Sequence, residues 1–202
     1  MAPVRRESFT ERRERRAAID DPEIVLAAAA RFLEARARSV GEVRRRLTQA
    51  GYRPELIDGA ISRLTELGVL DDEAFARSWI ESRDRARPRG ESALRQELAL
   101  KGVAREVISA ALAERRGDER SPEGGTWSAR RPADEATDTK SPDEVAAWRL
   151  LERRGSTILR TADPRARRHK AYALLARNGF DPSTCGSVAS AWLSRVEGPD
   201  QP

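Results

Sequence analysis

Setting Gly51 over Gly102 brings eight positions into register without a gap, the glycine included. Val43 falls on Leu94, Leu47 on Leu98, Tyr52 on Val103, Leu56 on Val107, Ile57 on Ile108, Ala60 on Ala111 and Ile61 on Leu112. Self-similarity at a fixed period of 51 residues marks an array of one small unit, which buries its apolar face only by stacking on its neighbours. A third copy is anchored by Gly179. Leu175 falls where Leu47 and Leu98 do, Phe180 where Tyr52 and Val103 do, and Val188 where Ala60 and Ala111 do.

Each unit reads as three helices. In the first, Asp21 and Pro22 open "DPEIVLAAAARFLEARARS", Ser39 and Glu42 form a capping box before Val43 and Leu47, and Gly51 stops that helix. Leu56, Ile57, Ala60, Ile61 and Leu64 then recur at helical spacing up to Gly68. In "GVLDDEAFARSWIESR", Asp71 or Asp72 precedes Phe75, Ala76, Trp79 and Ile80. A carboxylate there accepts from free backbone N–H groups at a helix start, an interaction worth about 1 kcal/mol. In the third unit the helices open at Ser141, Asp163-Pro164 and Asp181-Pro182. It departs from the others at Thr184, Cys185 and Gly186, where they offer an apolar pair, so its last helix should be the weakest.

The fold class expected is all-α: three tandem three-helix repeats. The expected boundaries are a flexible charged arm over 1–20, repeats over 21–68, 70–116 and 141–197, an acidic flexible linker over 117–140 and a tail over 198–202. The linker contains "GDERSPEGGTWSARRPADEATDTK", without a helical stripe and with Trp127 as its one large apolar residue.

Composition excludes several classes. Aromatic residues make up 5% and charged residues 35% of the 202 residues, which argues against one large aromatic core. One cysteine, Cys185, permits no intrachain disulfide, and one histidine, His169, sits among cations in "RARRHKAYALL". Neither has partners that would activate it, so no enzyme chemistry, no metal site and no cofactor is expected. No apolar run is long enough to span a membrane, and the Arg-rich start lacks an export core. The chain reads as soluble, cytoplasmic and monomeric.

The repeat, "LDDEAFARSWIESR", "PRGESALRQELALKG" and a third unit ending "LLARNGF" together resemble the RecX family of bacterial recombinase regulators. The resemblance covers residues 22–196 apart from the linker and implies repeats with helix-turn-helix character stacked into a curved, elongated solenoid. It also implies a non-enzymatic protein that binds the RecA–single-stranded DNA filament and restrains its ATPase and strand exchange. Leu70, Asp71, Asp72, Phe75, Ala76 and Trp79 match the first motif; Gly90, Leu94, Glu97, Leu98, Lys101 and Gly102 match the second. Most of these read as framework.

Arginine outnumbers lysine 35 to 3, and the formal net charge is +5. Basic clusters recur at related repeat positions: Arg44 and Arg45 with Arg46; Arg83, Arg85, Arg87, Arg89 and Arg95 around a turn; and residues 149–170, with eight bases against two acids, Arg167, Arg168 and Lys170 among them, with Lys101 at a helix end. Such clusters can meet phosphates without reading sequence, or acidic patches on a protein filament. Two functions follow. One is regulation of a recombinase filament, as the resemblance implies. The other is a stand-alone helical nucleic-acid-binding module, for single-stranded or non-specifically for duplex DNA, acting mainly by electrostatics.

Overall fold

A computed structural model describes residues 8–117 and 140–198. Most of the linker expected over 117–140, Trp127 included, lies outside the described residues, as do residues 1–7 and most of the tail. The described residues form eleven α-helices and no strand: α1 (Phe9–Ala17), α2 (Pro22–Glu34), α3 (Val40–Ala50), α4 (Pro54–Glu66), α5 (Asp72–Ala86), α6 (Glu91–Lys101), α7 (Arg105–Arg116), α8 (Pro142–Arg154), α9 (Ser156–Leu159), α10 (Pro164–Ala176) and α11 (Pro182–Glu197).

Two of these depart from the expectation of three helices per repeat. The arm expected to be structureless contains α1. Ser8 accepts from the Glu11 N–H, and the Glu11 side chain accepts from the Ser8 N–H, a capping box that four arginines nearby obscure in the sequence. No α1 residue is buried, so a search for apolar stripes finds nothing there. The four-residue α9 is too short to carry a period.

The repeat is visible in one turn built three times. After α3, α6 and α10 the chain enters the left-handed region at Gly51 (φ 98°), Gly102 (φ 84°) and Gly179 (φ 81°). The next residue's N–H then returns to a leucine carbonyl: Tyr52 to Leu47, Val103 to Leu98 and Phe180 to Leu175, at 3.3, 3.2 and 3.4 Å. This closure satisfies carbonyls left open at a helix end and fixes the angle at which the third helix leaves.

The helices fall into two compact units, one of residues 1–78 and 98–108, the other of 79–97 and 109–202, so that α5, α6 and α7 contribute to both. The first unit has a core of Val25 and Ala29 from α2, Val43 and Leu47 from α3, Ile57, Ala60, Ile61 and Leu64 from α4, and Leu70. The second has a core formed by α8, α9, α10 and α11, with Leu151, Ala171, Leu175 and Cys185 fully enclosed. Cys185 takes the place that Ile57 and Ile108 hold in the earlier repeats, so the substitution at this point keeps the position apolar and buried. Gly155 makes room for Trp192, whose ring would lie 2.3 Å from an added Cβ.

Candidate basic binding surface

In the first unit the cations gather where the end of α6 meets the start of α3. The Lys101 carbonyl accepts from the Ser39 hydroxyl at 2.6 Å and from the Arg45 guanidinium at 3.0 Å. Ser39 is fully buried and also caps α3. Gly41 and Gly102 meet back to back, a Cβ on Gly41 falling 2.7 Å from the Gly102 Cα. The Lys101 ammonium lies 3.3 Å from Glu42, which also holds Arg36 at 3.2 Å. Burial raises the pKa of Glu42, but the Ser39 N–H, Lys101 and Arg36 outweigh it and leave the carboxyl below its ordinary range. Arg44 is exposed and paired with Asp58. Lys101 and Arg45 therefore hold a helix junction together.

The paired acids that open α5 divide their work. Asp71 accepts from the Ala74 N–H at 2.9 Å and caps α5 itself. Asp72 turns away and accepts from the Val40 N–H, at 2.9 Å, in the first turn of α3. Both cap helices, but one does so for a neighbouring repeat. A sequence window cannot show that, because the recipient lies 32 positions earlier.

In the second unit Arg83 and Arg89, from the cluster around the turn, are half-buried and held by neighbours. Arg83 lies 2.6 Å from Glu97 and stacks 4.2 Å from the centre of the Trp79 ring, while Trp79 donates its indole N–H to the same carboxylate at 2.9 Å. Arg89 donates to the Asn178 side-chain oxygen at 2.5 Å and lies 3.4 Å from Glu97. Glu97 organises this group, and Trp79 is half-buried rather than a core residue like Phe75. Arg95 is held by Glu91 at 2.8 Å and by the Ser109 hydroxyl at 3.2 Å; Glu91 also holds Arg116 at 2.6 Å. Arg87 is exposed and meets no carboxylate among the described residues.

Gly90, Leu94 and Leu98 are framework in the plain sense. The two leucines are fully buried, and a Cβ on Gly90 would fall 2.2 Å from the Gly179 carbonyl oxygen. The Gly90 N–H donates to the Asn178 carbonyl at 3.0 Å. On α10, Arg168 is exposed and lines a shallow depression with Arg165, His169 and Tyr172. Lys170 donates to the Thr161 hydroxyl at 2.9 Å, and Arg167 is half-buried. Arg153 and Arg154, within the basic stretch 149–170 but not singled out in it, end α8 and face the same depression as Arg87 and Arg89. Nothing in the α8 periodicity shows which loop its last turn meets.

Burial, and after it the Asp181 charge, pushes the Cys185 thiol upward, and its Sγ lies 3.5 Å from the Phe180 carbonyl oxygen. Among the described residues no group of three or more His, Cys, Asp and Glu side chains could hold a metal ion, and no helix is long and apolar enough to cross a membrane.

The fold and its cations define a class of helical proteins built from three-helix units, with an arginine-rich surface. Family models for the first and second three-helix domains of RecX match residues 26–64 and 71–112. These two stretches are similar to the paired three-helix domains of RecX. The Regulatory protein RecX of Mycobacterium sp. (strain JLS) is 45% identical over 84 residues, 42% of this chain and 46% of that protein. That of Pelodictyon phaeoclathratiforme is 41% identical over 86 residues, 43% of this chain and 54% of its own. The matches thus span about half the length of these curated relatives. Two solved structures share the fold: RecX from Lactobacillus salivarius, with a TM-score of 0.66, 17% identity and coverage of 86% of this chain and 97% of its own, and a regulatory protein RecX with a TM-score of 0.63, 16% identity and coverage of 84% and 71%.

Proposed function

We propose that this protein is a cytoplasmic regulator that binds a RecA-type recombinase filament on single-stranded DNA and restrains its ATP hydrolysis and strand exchange. The observation that carries this reading is the pair of RecX domains over residues 26–112. The chain acts as a monomer whose exposed cations, Arg44, Arg87 and Arg168 among them, meet phosphates or acidic side chains of the filament.

The test is DNA-dependent ATP hydrolysis by the cognate recombinase with this protein titrated in. Inhibition at amounts well below those needed to cover the DNA supports a filament regulator. Inhibition only once the strand is coated supports the electrostatic DNA-binding module instead.

A further inference from the structure

Four arginines converge on one depression in the second unit. Arg87 and Arg89 come from the loop after α5, Arg153 and Arg154 from the last turn of α8, and Leu150 and Asn178 complete the wall. None of the lining residues is acidic. Several arginines elsewhere are paired with carboxylates: Arg44 with Asp58, Arg95 and Arg116 with Glu91, Arg115 with Asp84 and Asp143. Of the four here, only Arg89 is. Arg153 donates to the carbonyl oxygens of Arg85 and Ala86, each at 2.8 Å, and Arg89 to the Asn178 amide oxygen. Those acceptors orient a guanidinium without neutralising it. The one carboxylate in reach, Glu97, lies 3.4 Å from Arg89 and is shared with Arg83 at 2.6 Å. Arg87 and Arg154 are exposed and meet no acid among the described residues. Like charges gathered in a concave site repel one another and lower the cost of bringing in an anion.

We propose that this depression binds a phosphate of a phosphodiester strand. Guanidiniums arriving from two separate segments suit an anion with acceptor oxygens in several directions, whereas a carboxylate is satisfied by one planar fork. No aromatic side chain lines the depression, so it offers no aromatic platform for a base, and phosphate contacts of this kind carry no sequence preference. The proposal rests on the regulatory reading and deepens it, naming the sugar-phosphate backbone as the chemistry met at this surface.

The test uses the full chain without recombinase. Arg87→Gln and Arg154→Gln are combined, since neither side chain holds the fold together. Arg31→Gln with Arg105→Gln, two exposed arginines elsewhere, gives the same change of net charge. Binding to fluorescently labelled oligothymidylate is followed by anisotropy over a salt series, after circular dichroism has shown equal melting. The pocket variant should lose affinity and show a salt dependence shallower by about 0.7 per lost contact, about 1.4 for two. The matched variant should keep the wild-type slope. Equal loss in both variants, or an unchanged slope in the pocket variant, overturns the proposal. So does a variant that loses pyrophosphate binding alone, or poly-glutamate binding alone, while its grip on the strand is unchanged. Because no recombinase is present, failure of ATPase inhibition leaves this result standing, and failure here leaves that one standing.

Discussion

Asp72 carries its charge under protest. Burial raises its pKa most, the Val40 N–H pulls it down, and Asp71 and Glu42 push it up again, leaving it above the ordinary value. A carboxyl whose folded pKa is raised gives its full stability below the unfolded pKa and loses it as pH rises through the folded one. At neutral pH, then, the useful part of Asp72 is its acceptor oxygen and the costly part its charge. Asp72→Asn keeps the first and removes the second, so urea unfolding at pH 7 should show stability equal to or above wild type. Asp72→Ala should lose about 1 kcal/mol, the usual worth of a cap. Equal losses in both variants would show that the Val40 contact is not what matters. Arg115 is the opposite case, 7% exposed with Asp84 at 2.9 Å and Asp143 at 2.5 Å. Asp143 also accepts from the Glu91 N–H at 3.1 Å. Arg115→Met strands two acids and should cost about 3–5 kcal/mol. Lowering the pH should recover part of that loss as the acids take up protons.

At the scale of helices, the turn glycines double as contact surfaces. The same kind of approach occurs in each unit: Gly102 against Gly41, and Gly179 against Ala93, whose atoms would lie 2.5 Å from an added Cβ. Gly41 sits inside α3, where helix propensity alone favours alanine by about 1 kcal/mol. The 2.7 Å approach to backbone reverses that sign, so Gly41→Ala should lower the melting temperature. Gly59, inside α4 with open space around it, is the control: Gly59→Ala should raise stability by about 0.5–1 kcal/mol. If both move the same way, the junction does not govern α3. This contrast marks how far the sequence could be read. Capping boxes and glycine stops are local, and they located α3, α6, α8, α10 and α11 closely. The apolar register of Val43 with Leu94 and Leu47 with Leu98 exposed the repeat. Which glycine faces which, which carboxylate reaches another helix, and which arginine finds Glu97 depend on tertiary contact. A basic cluster looks the same in sequence whether its charges are free or paired, so Arg83 and Arg87 were indistinguishable until the fold separated them.

Across the whole molecule the acids decide how the fold responds to pH. In Glu91, burial raises the pKa but Arg116 and Arg95 outweigh it; Glu42 behaves alike; and the Ser183 and Thr184 hydroxyls hold Asp181 far below its ordinary range. Depressed carboxyls contribute stability above their unfolded values, near 4.5 for Glu and 3.8 for Asp, and lose it as pH falls through the folded ones. Asp72 works in the reverse direction, one group against four among the described residues, Glu11 being lowered too by its bonds to Ser8. The chain is already at +5 at pH 7, and every acid protonated adds net positive charge and self-repulsion. Thermal melts should therefore change little between about pH 6 and 8 and drop steadily below about pH 4.5. Added salt should behave differently in the two ranges. At pH 7 it screens exposed pairs such as Arg63 with Glu66, worth at most about 1 kcal/mol, and should lower the melting temperature slightly. At pH 3 the pairs are largely gone and repulsion among 38 basic side chains remains, so the same salt should raise it. Glu42→Gln isolates the local part, because it removes the carboxylate that holds Lys101 and Arg36 without touching the other unit. Its loss should be largest at pH 7 and shrink toward pH 3, where wild-type Glu42 is itself becoming neutral. A loss that stays constant across that range would mean Glu42 acts by packing rather than by charge.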